Sequence, residues 1–553
     1  MQRCSEPHGQ NRPFRILSIE MNQRMTNNTP RTFSKWGLLG LVLLALSGAW
    51  PDQAWAWQSD RGDGTYANPL LYADYPDPDI IRVGEDFYFA TTTFVNSPGL
   101  TLLHSRDLVN WEIVSHVVPR LEGREQYDLK NGTAYRVGIF APSLRYHEGM
   151  FYIALTPVGQ NTRIYYAKNI EGPWQYHELD REAFDPGLYI EPDGKGYIAT
   201  SFCGDGHVTL LKLSSDFSRV IESQPLFYYK GIEGSKIIKK GDWYYVFNAL
   251  PSKLAFTCSR AKSLFGPYET IVSLDDTKGG HQGAIVDLPD GSWYGFIMRD
   301  CGAVGRMTFL SPIFWKNEWP VWGTPEAPER VPAFAQKPIK GKPVGQPATS
   351  DSFDSATLGL QWLWNHNPDN ARWSLTERRG WLRLHATVSP DFWHARNTLT
   401  QKGQGPVSCG EIKLDLRGLK PGDICGFGTL GKINGHIAAE CQPDGSVRLA
   451  MRVIVDGGAT ETRVVTEPVG RGDLYLRTSL DFVRNKGLCA YSGDGKQWIE
   501  LGGEFDLAFD WRTGTFQGEQ FAIFCYNSNS SDGFADVDEF KFQDSLPTNF
   551  TNK

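Results

Sequence analysis

Four polar residues stand at matching distances from a repeated aromatic turn, and three of them are acids. Asp77 lies in YPDPD, Asp185 in FDPG, Glu233 in GIEGSK and His281 in GGHQG. Each precedes by about 11–13 residues the tyrosine of a turn-and-strand pattern. The second copy of the pattern has Ala141-Pro142 in that neighbourhood. Singly, each residue has a plainer role. Asp before Pro favours a turn, Glu233 can pair with Lys236, and His281 can be a satisfied structural histidine. Solvated surface charges, however, have no reason to keep a common phase. Carboxylates converging on one pocket suit glycoside hydrolysis. One carboxylic acid protonates the leaving oxygen, and a carboxylate on the opposite face of the sugar activates water. A third can raise the pKa of the acid by like-charge repulsion and help orient it.

The elements that must position these residues are the repeats themselves. The five copies are GEDFYFATT around Tyr88, HEGMFYIALT around Tyr152, PDGKGYIATS around Tyr197, KGDWYYVFNA around Tyr244 and PDGSWYGFIM around Tyr294. The later copies are spaced about 45–50 residues apart, one four-stranded blade each, and the first gap is longer. The polar residues before each aromatic run read as the hairpin joining the first two strands of a blade. HSRDLVNW (104–111), YAKNIEGPW (166–174) and SRAKSLFGPY (259–268) echo one another after the repeated strand. No convincing amphipathic helix falls between Tyr66 and Trp322. The pattern predicts an all-β chain beginning with a five-bladed β-propeller. The innermost strands of such a fold line a central channel, so residues in phase on them converge.

At these residues the chain resembles glycoside hydrolase family 43, the β-xylosidase and α-L-arabinofuranosidase family. NPLLYADYPDPDIIRVGEDFYFATTTF (68–94) is similar to the family's opening segment, and FDPGLYIEPDGKGYI (184–198), IEGSKIIKKGDWYYVF (232–247) and GHQGAIVDLPDGSWYGF (280–296) to its later ones. The resemblance implies Asp77 as general base, Glu233 as general acid and Asp185 as the residue that modulates and orients the acid. It implies inversion by a single displacement with water. It also implies that His281, at the propeller axis, can face a bound calcium, while the chemistry requires no cofactor. Arg306, in GRMTFL, resembles the arginine that contacts the terminal sugar, with Phe94 and Phe140 beside it. Residues 351–375 and 395–402 resemble the C-terminal sandwich of xylosidase-type members, which can lend a phenylalanine to the rim. Phe516, in TGTFQG, is the candidate, with a place in the sandwich core as its plainer role. The chain departs from the family at Tyr75, where His is usual, at the VNSPG after Phe94, at Phe140 in place of Trp, and at Ser235-Lys236 after the acid.

The organisation that follows is an N-terminal extension and signal peptide over 1–56, a propeller over 57–323, a linker over 324–349 and a concanavalin-like antiparallel β-sandwich over 350–545. The linker is rich in Pro, Ala and Lys without an apolar period. EIKLDLRG (411–418), SVRLAMRVIV (446–455) and DEFKFQD (538–544) alternate as strands with one buried face. Arg31 and Lys35 precede the apolar run WGLLGLVLLALSGAW, and Ala54 and Ala56 offer a cleavage point. Met25 is a natural start for such a signal. The run is shorter than the ~20 residues of a membrane span, and no second one follows. An exported protein, periplasmic or extracellular, is expected, with no membrane span in its mature form. A net charge of -7 and no basic cluster past the N-terminus argue against nucleic acid as a partner. The 9 Cys form no CxxC pair, so neither a zinc site nor a disulfide scaffold is indicated. The expected partner is a plant cell-wall oligosaccharide or polysaccharide, from which xylose or L-arabinofuranose is released by exo action. The same chemistry on galactan or another pectic side chain is the alternative, and a non-catalytic carbohydrate-binding propeller is the alternative from another class. A homo-oligomer stays open.

Overall fold

The computed structural model describes residues 57–530, 532–547 and 550. The proposed signal peptide and the residues before it lie outside the described residues.

Five antiparallel sheets follow one another in chain order. Their innermost strands are Asp79–Val83, Ile139–His147, Gly187–Ile190, Glu233–Lys240 and His281–Asp287. Each of the five pairs with the strand carrying its aromatic repeat: Asp86–Thr91, Met150–Pro157, Gly196–Thr200, Trp243–Leu250 and Trp293–Asp300. The innermost strands of neighbouring blades touch from the first blade to the fourth, and that of the fifth meets the second strand of the fourth and the innermost strand of the first. This is the predicted propeller, with hairpins where the polar turns stood. Among the described residues the only helical pieces of three residues or more are short 3-10 turns.

Each blade is built from one continuous stretch of chain, so the ring closes by side-chain packing and by hydrogen bonds from the entering segment. Phe89 and Trp111 of the first blade and Phe296 of the fifth form a triangle with ring centroids 5.6, 5.9 and 6.1 Å apart. All three are essentially buried, and burying rings of this size is the largest available apolar gain. The segment entering the first blade is pinned to the fifth: Leu70 N–H donates to the Thr308 carbonyl at 3.0 Å and Tyr75 N–H to the Arg306 carbonyl at 3.0 Å.

The predicted linker is more ordered than its composition implies. Ala327–Pro328 adds a strand to the fifth sheet, and Phe334–Gln336 pairs with Thr65–Ala67. Two- and three-residue strands are too short to show alternation, which is why a Pro-rich stretch concealed them. Beyond it, a nine-stranded and an eight-stranded sheet face each other over a core that includes Trp362, Phe427, Phe521 and Phe540. The nine-stranded sheet takes one strand from the first blade, Asn96–Ser97, paired with Leu363–Asn365. The Asn96 amide also donates to Gln520 Oε1 at 2.7 Å and lies buried. Propeller and sandwich therefore share backbone pairing as well as packing, and loops of the sandwich are held over the first blade.

Candidate active site

The five innermost strands share a backbone device at their entrance. Asp77, Ala141, Asp185, Gly234 and Gln282 all have left-handed φ, between 38° and 65°. Each stands four residues before the position paired with Tyr88, Tyr152, Tyr197, Tyr245 and Tyr294 respectively. Four of the five are not glycine, and left-handed backbone costs such residues roughly 1–2 kcal/mol. The turn aims side chains into the channel mouth. It also corrects the phase read from the sequence. Tyr245 is the structural counterpart in the fourth blade, and the tandem Tyr244-Tyr245 hid the shift. Glu233 and His281 accordingly stand one residue before the left-handed position, and bulges after each absorb the difference.

Asp77 is buried and held on several sides. Its N–H donates to Met298 Sδ at 3.2 Å, and its Oδ2 accepts a 2.6 Å hydrogen bond from the Thr92 hydroxyl. Thr92 Oγ1 in turn accepts from Ala141 N–H at 2.8 Å, which commits the hydroxyl proton to Asp77. The second carboxylate oxygen, Oδ1, faces Arg306 Nη1 at 3.9 Å. Thr92 was not singled out in the sequence, because TTTF reads only as the end of a strand.

Asp185 and Glu233 feel each other and Asp77. Burial pushes the Glu233 carboxyl up to about 7, and the Asp77 carboxylate adds to the rise. Asp185 is raised well above the usual range, first by burial, then by Glu233 and Asp77, against the pull of Lys236 and Arg306. The neighbour that raises Glu233 is thus Asp77, while Asp185 is raised in part by Glu233. One carboxyl is protonated near neutrality beside another that is anchored by a donor and a cation. That is the electrostatic pattern of an acid and a base.

Lys236, where pairing resumes after the bulge that follows Glu233, is 1% exposed. Its ammonium donates to the Pro142 carbonyl at 2.5 Å and lies 3.7 Å from Asp79 Oδ2. Asp79 also accepts from Leu144 N–H at 2.8 Å and Arg145 at 2.9 Å. Lys236 and Arg306 are the cations that offset three clustered carboxylates. The sequence marked Lys236 as a possible ion-pair partner of Glu233 and as a departure from the family, with no sign that it reaches across to the second blade.

One wall is aromatic. Phe94, Phe140 and Phe516 stand with centroids 5.0, 5.1 and 5.5 Å apart. The Arg306 guanidinium lies 4.9 Å from the Phe94 ring and 4.4 Å from Phe516, and donates to the Phe516 carbonyl at 3.2 Å. Phe516 is therefore a rim residue and not part of the sandwich core. The sandwich loop that carries it is clamped to the propeller. Gln517 donates to the Thr93 carbonyl at 3.0 Å, Gly518 N–H to Asp74 at 3.2 Å and Glu519 N–H to the Ala303 carbonyl at 2.9 Å. Gly518 is required there, since a Cβ would come within 2.1 Å of the Val304 carbonyl oxygen. All eight residues singled out from the sequence thus lie on the innermost strands or on the rim around them. His281 is buried at the start of its strand, its Nδ1 3.0 Å from the Gly279 carbonyl. Among the described residues no three His, Cys, Asp or Glu side chains are grouped to hold a metal ion.

Comparison with known proteins agrees with this geometry. The profile of Glycosyl hydrolases family 43 matches residues 66–320, and that of the Beta xylosidase C-terminal Concanavalin A-like domain matches 350–543. A Beta-xylosidase of Formosa agariphila is 32% identical, over 91% of this chain and 93% of its own length. The Non-reducing end alpha-L-arabinofuranosidase BoGH43B of Bacteroides ovatus is 33% identical, over 63% of this chain and 69% of its own. A solved family 43 glycoside hydrolase, engineered to display both endo-xylanase and exo-arabinofuranosidase activity, superposes with a TM-score of 0.81 at 29% identity. The match covers 87% of this chain and 99% of that one. With both of its folded parts matched and its carboxylates gathered at one channel mouth, this chain is a glycosidase and belongs to glycoside hydrolase family 43.

Proposed function

We propose that the protein is an exo-acting, inverting glycosidase that releases xylose or L-arabinofuranose from plant cell-wall oligosaccharides after export. The observation that carries this reading is the pairing of Glu233, raised to about 7, with Asp77, anchored by Thr92 and Arg306. Glu233 gives its proton to the glycosidic oxygen as the bond to the anomeric carbon breaks. A water on the opposite face loses its proton to Asp77 as its oxygen bonds that carbon. Glu233 is left ionised and Asp77 protonated, and exchange with solvent resets both. Thr92 occupies Oδ2 of Asp77, which leaves Oδ1 to take the proton. Burial and the Asp77 carboxylate keep the acid protonated near neutrality, and Asp185, itself raised by burial and by Glu233, stands beside it to orient it. Phe140 and Phe516, backed by the buried Phe94 ring, cover the apolar face of the terminal sugar, and Arg306 donates to its hydroxyls. The clamped sandwich loop walls one side of the channel mouth, which favours a pocket for a chain end over an open groove. The relatives named for xylosidase and arabinofuranosidase activity favour a pentose over galactan. The apolar run preceded by Arg31 and Lys35 supports export to the periplasm or beyond.

The test is sugar release by the mature protein from aryl β-xyloside, aryl α-L-arabinofuranoside, and xylo-, arabino- and galacto-oligosaccharides. Asp77→Ala is the blank. Pentose release that vanishes in the variant is expected. Release of galactose alone, or release that persists in Asp77→Ala, would overturn the reading.

A further inference from the structure

Glu233 is aimed by a β-bulge, and that bulge has a polar brace which the mechanism above does not use. The innermost strand of the fourth blade pairs Glu233 with Ala249 and next pairs Lys236 with Phe247. Two residues, Gly234 and Ser235, therefore stand opposite one, Asn248. A bulge of this kind bends its strand and re-aims the side chain beside it. Gly234 supplies the left-handed backbone, with φ of 65°.

The bulge is wedged between neighbours. Toward the fifth blade, a Cβ on Gly234 would come within 3.0 Å of Gln282 Oε1, so the buried Gln282 amide fills the space a side chain would take. Toward the third blade, the Ser235 carbonyl oxygen lies so close that a Cβ on Gly187 would stand 2.1 Å from it. The residue before the acid is tied as well, the Ser201 hydroxyl donating to the Ile232 carbonyl at 2.6 Å. Asn248 faces the bulge from the second strand and is fully buried. Its Nδ2 donates to Ser235 Oγ at 2.7 Å and, over a longer 3.4 Å, to the Glu233 carbonyl. One amide thus reaches both the main chain of the acid and the side chain of the bulge.

The second blade supplies an internal comparison. There Phe140 pairs with Thr156 and Ser143 with Ala154, so Ala141 and Pro142 again stand opposite one residue, Leu155. The count is the same, but a phenylalanine stands where Glu233 does, and the opposing residue is apolar. A two-against-one bulge therefore forms without an amide behind it. A buried amide is costly unless its groups are bonded, and Asn248 Oδ1 is buried with no hydrogen-bond partner. The fourth blade carries that cost where the second does not, and it is the blade with the acid.

We infer that Asn248, acting through Ser235 and the Glu233 main chain, is a positioning residue for the general acid. It fixes the bulge so that the Glu233 carboxyl stays aimed at the glycosidic oxygen. This rests on the functional reading above. Proton transfer depends steeply on alignment, so a loosened bulge should cost rate where a proton must be delivered and little where it need not be.

The experiment measures kcat/KM on an oligosaccharide and on a dinitrophenyl glycoside of the same pentose. Asn248→Leu keeps the size of the side chain and deletes the donor. It is expected to lose about tenfold or more on the oligosaccharide and to stay within about threefold of wild type on the dinitrophenyl glycoside. Ser235→Ala, a smaller change that serves even where Asn248→Leu fails to fold, should show the same split. The double variant should be no more than about twofold worse than Asn248→Leu, because the contact is already gone. Equal losses on both substrates, no loss on the oligosaccharide, or losses that multiply in the double variant would overturn the brace. If Glu233→Ala still shows the split in that case, the catalytic reading stands without it. A wild-type protein that cleaves neither substrate would overturn the functional reading and the brace with it.

Discussion

Glu233→Ala isolates the work of the acid, and the size of the effect follows from its surroundings. Burial and the Asp77 carboxylate move the group from 4.5 to about 7. At pH 7 the protonated fraction therefore rises from about 0.3% to about one half, roughly 150-fold more competent acid at neutrality. Above about pH 7 turnover of a poor leaving group should fall tenfold per pH unit, or about 50-fold between pH 7 and 9. The assay is kcat/KM from about pH 5 to pH 9 on an oligosaccharide and on a dinitrophenyl glycoside of the same pentose. On the oligosaccharide, Glu233→Ala should lose on the order of 10²–10⁴-fold. On the dinitrophenyl glycoside it should lose less than about tenfold, because that phenolate leaves without a proton. The alkaline limb should also vanish from the variant on the activated substrate. Equal losses on both substrates would refute Glu233 as the acid. A wild-type profile flat to pH 9 would refute the electrostatic argument that places it near neutrality.

Thr92→Val keeps the shape of the side chain and deletes the donor to Asp77 Oδ2. It should lower kcat about ten- to a hundredfold with KM little changed, and Thr92→Ser should restore it; a rise in KM alone would count against a positioning role. Lys236→Met leaves the Pro142 carbonyl without its donor and strips one cation from Asp79, which keeps Arg145 at 2.9 Å. A stability loss of about 2 kcal/mol in urea is expected at neutral pH, and a change below about 0.5 kcal/mol would contradict the ammonium's structural part. Glu519 sits beside the clamped loop and is raised to about 8 by burial. A carboxyl raised in the fold contributes stability that is complete below its unfolded value near 4.5 and lost as pH rises through about 8. Glu519→Gln should remove that slope, a term of at most about 5 kcal/mol, and urea midpoints that fall with pH as in wild type would rule the assignment out.

The five blades were legible because each repeats a turn followed by aromatics at strand spacing, a signal carried by local chemistry. The carboxylates were legible for the same reason, since they sit at nearly constant distance from those turns. Finer placement was not. The one-residue offset of Glu233 depends on which of Tyr244 and Tyr245 pairs with the innermost strand, and register is set by the bulge and not by composition. Thr92 acts through one hydroxyl whose proton is directed by a backbone N–H of the next blade, a contact between residues 49 apart. Lys236 reads as a strand residue until its partners on other blades are seen. The pairing of Asn96–Ser97 with the sandwich joins segments far apart in the chain, and two residues carry no period to betray it.

The central claim is that Asp77 drives water onto the face opposite the bond that Glu233 protonates. Proton NMR of the first sugar formed, on whichever pentoside the wild type cleaves, tests it most directly. The account predicts the inverted anomer first, α-xylose from a β-xyloside or the β-furanose from an α-L-arabinofuranoside, and no release by Asp77→Ala. First appearance of the retained anomer would contradict it.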